Sequence, residues 1–184
     1  MSGRTSVLTR RRKARGDLGA GLYAAALSLV TLSVLGLLGL LTHLPWLFPS
    51  LGPTVMLFFE SPEQPASRPV NALVGHGVGL AAGVICFYGF HIGAFPPAPV
   101  GGVTGYHMAA GAVSVALTTL VLTRVGLPHP PAGATTLIVS LGILNTPAHF
   151  GVMAAAVVVL TALGWGANLL LGTRPAGSGA DTRP

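Results

Sequence analysis

Residues 18–41 read LGAGLYAAALSLVTLSVLGLLGLL, 24 positions without a charged side chain. As a helix, that length reaches about 36 Å at about 1.5 Å per residue, enough to cross a hydrocarbon core of about 30 Å. The run exceeds the roughly 7–15 apolar residues of an export signal, so it reads as a retained first span rather than a leader. Three further apolar runs follow, at about 70–93, 101–123 and 147–171. The fold class expected is an all-α membrane protein built on four transmembrane helices.

Composition points the same way. Only 8% of the 184 residues are charged, against about 25% in a soluble domain. The 26 glycines and 15 prolines lie within long apolar runs rather than polar tracts, which argues for closely packed helices and against disorder. The formal charge of +6 would suit nucleic acid, but Arg4, Arg10, Arg11, Arg12, Lys13 and Arg15 all precede the first span. Residues 1–17 therefore read as a basic cytoplasmic arm that orients the chain and meets anionic lipid, with no nucleic-acid partner implied. A multi-pass protein of the cell membrane with both termini cytoplasmic is expected, and residues 173–184 read as a disordered tail. Cys86 is the single cysteine, so it forms no intrachain disulfide and reads as a small core hydrophobe.

Two short apolar stretches interrupt this scheme. Pro49-Ser50-Leu51-Gly52-Pro53-Thr54 and Pro130-Pro131-Ala132-Gly133-Ala134-Thr135 share Pro-x-x-Gly-x-Thr, and a shift of 81 positions lays one on the other. The same shift lays the first span on the third and the second on the fourth. A two-fold internal repeat follows, with halves at about 18–93 and 99–172. Each half then contributes one short helix broken by proline and glycine, the feature that marks binding sites in duplicated transporters. Whether these helices dip and return or cross decides the topology. Four spans plus two re-entrant hairpins make parallel halves, whereas six crossings make inverted halves and put Arg68 and Arg124 inside. About 13 helical residues reach only about 20 Å, which favours re-entrant, half-membrane helices.

A helix that starts inside the membrane must line protein or water, and its start carries partial positive charge and unpaired N–H groups. Two such starts favour a small inorganic anion. The candidate binding residues are Pro49, Ser50, Gly52 and Thr54 in the first half and His129, Pro130, Pro131, Gly133, Thr135 and Thr136 in the second. His76, a polar ring within the second span, joins them. For His129 the alternatives are an anion contact and a bond to a backbone carbonyl that fixes the turn; for the threonines, an anion contact and a bond within their own helix. Gly75, Gly79 and Gly83 recur every four residues on one face, which is expected to meet another helix. His43, His91, His107 and His149 are weaker candidates. Glu60 and Glu63 could couple protons or simply solvate a loop beside Arg68, and Asn71 and Asn145 could cap helices. The six histidines form no metal-ligand spacing, and no cofactor motif or phosphate-binding loop is present, so neither a metal nor a cofactor is expected. Nor does the sequence place a nucleophile with a base, so no enzymatic activity is expected. A bundle this small is also a candidate homo-oligomer.

At Pro128 to Thr136 the sequence resembles the HPP family of integral membrane proteins, whose His-Pro-Pro triplet is His129-Pro130-Pro131 here. Phe48-Pro49-Ser50-Leu51-Gly52, and Pro62 to Asn71 leading into Val74-Gly75-His76, also look like that family. The resemblance covers about residues 18–172. It implies four transmembrane helices and, since plant and cyanobacterial members are implicated in nitrite transport, nitrite as the best-named substrate. The alternative is a structural or regulatory membrane subunit without transport activity, which would show a dry, packed centre.

Overall fold

The computed structural model describes residues 7–173, with side chains from Gly16 onward. Its elements are α1 (Val7–Thr42), α2 (Leu51–Glu60), α3 (Pro69–Gly89), α4 (Ala98–Gly101), α5 (Gly105–Val125), α6 (Pro131–Ser140) and α7 (Pro147–Leu170), with 3₁₀ turns at Pro65–Ser67 and Ile92–Ala94. Among the described residues there is no strand. Four helices are long and apolar enough to cross a membrane: α1 from Gly16 onward, α3, α5 and α7. The expected spans are thus present with shifted ends. The second stops at Gly89 rather than Gly93, and the third starts at Gly105 because α4 and an extended Gly102–Thr104 precede it. Helix α1 reaches back to Val7 through part of the basic arm, interrupted at Gly16 with φ of 61°. Residues 1–6 and the tail from 174 lie outside the described residues.

Local chemistry sets these boundaries. Pro69, Pro131 and Pro147 open their helices at the position where a missing N–H costs nothing. The Thr104 and Thr146 hydroxyls accept from the amides of His107 and His149, capping α5 and α7. Helix α5 ends at Gly126, whose φ of 68° lies in the left-handed region that a glycine tolerates.

The centre of the bundle is α3, which packs against α5, α6 and α7, while α1 packs on α2 and α7 at the margin. The glycine face of α3 meets another helix, as its spacing predicts, and that helix is α6. A Cβ placed at Gly75 would lie 2.6 Å from His129 Cβ, one at Gly79 2.6 Å from the Ala132 carbonyl oxygen, and one at Gly83 2.8 Å from Val139 Cβ. These three contacts advance together along both helices, so α3 and α6 run parallel. Against α5 the same helix runs antiparallel: Thr118 meets Thr136 at 2.8 Å, while Gly111 lies beside Leu137 and Leu141.

Contacts at their ends place the short helices along the bundle. Helix α6 begins beside the first turns of α3, and the chain leaves it at the opposite end, where the Leu141 carbonyl accepts from Ala98 N beyond the end of α3. Helix α2 follows chain that folds back along α1, with Leu47 at Gly36 and Leu44 at Gly39, and it finishes where Asn168 near the end of α7 donates to Phe58 O at 2.8 Å. Each 10-residue helix supplies only about 15 Å.

The contacts of Gly79 give a direct test of this packing. Gly79→Ala drives a methyl into the backbone of α6 and should destabilise the protein by about 1–3 kcal/mol. Gly77→Ala, on the same helix with open space around it, should leave stability unchanged or raise it by about 0.5–1 kcal/mol. Thermal unfolding of both variants in detergent measures the difference.

Candidate functional site

The register of α3 on α6 places two imidazoles against each other. His76 lies seven residues into α3, and His129 precedes Pro130 and Pro131 at the start of α6; each ring is 2% exposed. Their centroids are 4.8 Å apart with the planes at 69°, and the two Nε2 atoms face at 3.2 Å. Hydroxyls from both short helices complete the cluster. Thr54 Oγ1 of α2 lies 2.8 Å from His76 Nε2 and 3.5 Å from His129 Nε2, while Thr135 Oγ1 of α6 lies 2.6 Å from His76 Nδ1. The outer edge of His129 is anchored by Ala66 O, 2.9 Å from Nδ1.

Hydrogen-bond accounting assigns the protons in the neutral pair. A carbonyl can only accept, so His129 Nδ1 carries its hydrogen and donates to Ala66, leaving His129 Nε2 as an acceptor. The Thr54 hydroxyl donates to Ser50 O at 3.1 Å, so its oxygen accepts from His76 Nε2–H, which also faces the bare His129 Nε2. His76 Nδ1 then accepts from the Thr135 hydroxyl. The alternative tautomer of His76 would set two bare Nε2 lone pairs against each other. The result is one directional chain of hydrogen bonds from Thr135 through His76 and His129 to the loop before α3.

The other proposed residues separate into groups. Ser50 is fully buried at the start of α2, and its hydroxyl has no hydrogen-bond partner. Thr136 donates to Ala132 O and meets Thr118, so it joins α6 to α5 instead of joining the histidine cluster. Pro131 is buried, Gly52 and Gly133 are half-buried, and Pro49 and Pro130 are exposed. Of the N–H groups at the helix starts, those of Leu51, Ala132 and Gly133 are engaged locally, donating to Phe48 O, His129 O and Pro130 O. The two starts also bring their dipoles and hydroxyls to the cluster. His107 forms a capping box with Thr104, and Asn71 donates across to Pro128 O at 2.9 Å. Among the described residues, no three His, Cys, Asp or Glu side chains are grouped to hold a metal ion.

The cluster itself is closed, but open grooves reach its edge. One of about 510 Å³ lies between α5 and the start of α6, lined by Thr118, Thr119, Thr123, Pro128, His129 and Gly133 among others. A second of about 410 Å³ separates α2 from α6 and is lined by Pro53, Met56, Glu60, Pro130 and Pro131 among others. His129-Pro130-Pro131 forms the wall between them.

A family model described as HPP, transmembrane region, matches residues 13–175. The chain belongs to the HPP transmembrane family. With four apolar helices of spanning length, it is a multi-pass membrane protein. No curated protein and no solved structure matches it. The triplet that names the HPP family thus has a concrete setting here: its histidine is the inner wall of a groove and the neighbour of a second histidine, and its second proline opens α6. The sequence reading selected His76, His129, Thr54 and Thr135 but not their mutual contact, nor the roles of Ala66 and Thr118. The readable signal for the contact was Gly75, which leaves room for the His129 ring.

Thr135→Val keeps the shape of the side chain but leaves His76 Nδ1 buried without a donor, which should destabilise the protein by about 1–3 kcal/mol. Thr119→Val, at an exposed position on the groove, should change stability by less than about 0.5 kcal/mol. Unfolding midpoints give the magnitudes, and the ¹⁵N shifts of the His76 ring should move in the first variant alone.

Proposed function

We propose that this HPP chain is a transporter of small inorganic anions in the cell membrane, with nitrite its best-named substrate. The observation that carries the proposal is the convergence of two short helix starts on one buried ring: Thr54 of α2 and Thr135 of α6 both bond His76. Two positive helix ends, two imidazoles and the unpartnered Ser50 hydroxyl form a centre suited to a small anion. The groove at His129 supplies an approach from one end. We read the centre as a binding site and not as a catalytic one, since it pairs imidazoles with threonine hydroxyls already bonded within the cluster.

The proposal includes an internal repeat with inverted halves. Thr54 and Thr135 are related by the 81-residue shift and play the same part toward His76. Phe58 against Gly164 and Val139 against Gly83 are related by that shift too, each pairing a short helix with a long one. With α2 and α6 each passing one way along the bundle, the halves run in opposite senses across the membrane. Both termini, Arg68 and Arg124 then share the cytoplasmic side, in keeping with the positive-inside rule. A structural or regulatory subunit is the second reading, favoured by the closed packing at the centre. Against it, the glycine face of α3 is used up inside the chain by α6.

The functional test is nitrite uptake into proteoliposomes, with nitrate, formate and chloride as competitors. Saturable uptake that falls at least about tenfold in folded His129→Ala is expected, a loss of about 1.4 kcal/mol or more. Absence of uptake for every anion would favour the subunit reading. The topological test is labelling of single cysteines in a Cys86→Ala background. Gln64→Cys should react from the side of the termini and Asn145→Cys from the other side; re-entrant hairpins would put Gln64 opposite the termini.

A further inference from the structure

Two neutral imidazoles that face each other across 3.2 Å hold one hydrogen between their Nε2 atoms and have one lone pair left to protonate. Such a pair binds one further proton and resists a second, because two cations at this separation repel strongly away from water. Among the described residues, no hydrogen-bond partner of either ring carries a countercharge. Neither ring has a carboxylate among its hydrogen-bond partners. Of the charged or titratable groups on the neighbouring elements, Glu60 ends α2 at the wall of the second groove, and Glu63 is exposed in the following loop. Arg68 precedes α3, Arg124 is exposed in the last turn of α5, and His149 lies at the far end of α7. Helix α6 contributes no titratable side chain. A positive charge on the pair is thus left to be balanced by something that enters.

We propose that the His76–His129 pair is the proton site of a proton-coupled anion carrier, taking up one proton together with each monovalent anion. This rests on the anion reading above and names the coupling ion for that same site. In the loaded pair, His129 Nδ1–H still donates to Ala66 O, the facing Nε2 atoms share one hydrogen, and the added proton sits on His76 Nδ1. The only new bond is that N–H. Thr135 Oγ1, 2.6 Å away, then accepts instead of donating. Its own O–H is freed to turn toward an anion at the starts of α2 and α6, where the dipoles and the new imidazolium charge all favour it. Deprotonation of His76 Nδ1 returns the hydroxyl to the ring and removes the charge, so proton and anion leave together. The fixed bond to Ala66 keeps His129 from turning its Nε2 away from His76, and thereby keeps the pair a single proton site.

The test uses the full chain in proteoliposomes with the voltage clamped at zero by valinomycin and equal potassium. A pH one unit lower outside is imposed, and chloride and nitrate accumulation are followed alongside internal pH, against protein-free vesicles. One-to-one coupling should accumulate the anion about tenfold inside with matching acidification, since one pH unit corresponds to a factor of ten. His76→Gln, which cannot take the proton, should abolish both the accumulation and the matching acidification. Gly77→Ala, on the same helix as His76 but with open space around it, should retain the tenfold accumulation and so guards against a merely structural loss. Wild-type uptake that equilibrates without accumulation would overturn the proton site and leave the anion reading standing. No uptake at all would overturn the anion reading, and ¹⁵N titration of the two rings would then decide the pair. Joint uptake of one proton at a single midpoint supports the shared site, and two independent titrations overturn it.

Discussion

The approach of α3 to α6 is the constraint on which the rest of the structure depends. At Gly75, Gly79 and Gly83 the addition of a single carbon would collide with His129, with the backbone at Ala132 and with Val139. The helices can therefore come together only on this face and in this register. That register determines which atoms meet further up: Gly75 leaves the space His129 fills, and the next residue, His76, is thereby set against it. In lipid there is little hydrophobic drive to bring helices together, so close packing of small residues and interhelical polar bonds have to supply it. Here both lie on the same turn of α3.

The parts of the fold that follow from one-dimensional rules were legible in the sequence. The four long helices show as uninterrupted apolar runs, and the prolines at 69, 131 and 147 mark where helices open. The glycine face predicted a helix contact that α6 makes. How the short helices lie against the long ones was not legible from helical length alone. Some of the N–H groups at the helix starts are also engaged locally. Phe48, His129 and Pro130 supply carbonyls to them, a turn geometry that composition does not reveal.

The site was legible as a set of residues but not as an arrangement. His129 and Thr135 stand out because they flank the same short helix, and Thr54 because it falls at the equivalent place in the other half. His76 stands out as a polar ring in an apolar helix. Nothing in the spacing states that Thr54 and Thr135 grip opposite nitrogens of His76, since the first contact spans 22 positions and the second 59. Long-range pairing of this kind is fixed by helix packing, which sequence patterns describe only as faces.

The same arrangement explains why polar side chains can be enclosed so deeply in an otherwise apolar bundle. Thr54, Thr135, His76 and His129 each find partners within the cluster, so their burial leaves few unpaired groups and costs little. Thr54 of α2 and Thr135 of α6 both bond His76, so one ring serves both short helices. The shared ring gathers the polar groups of α2 and α6 into a single centre, and it ties both to α3 so that a change at His76 is felt by both.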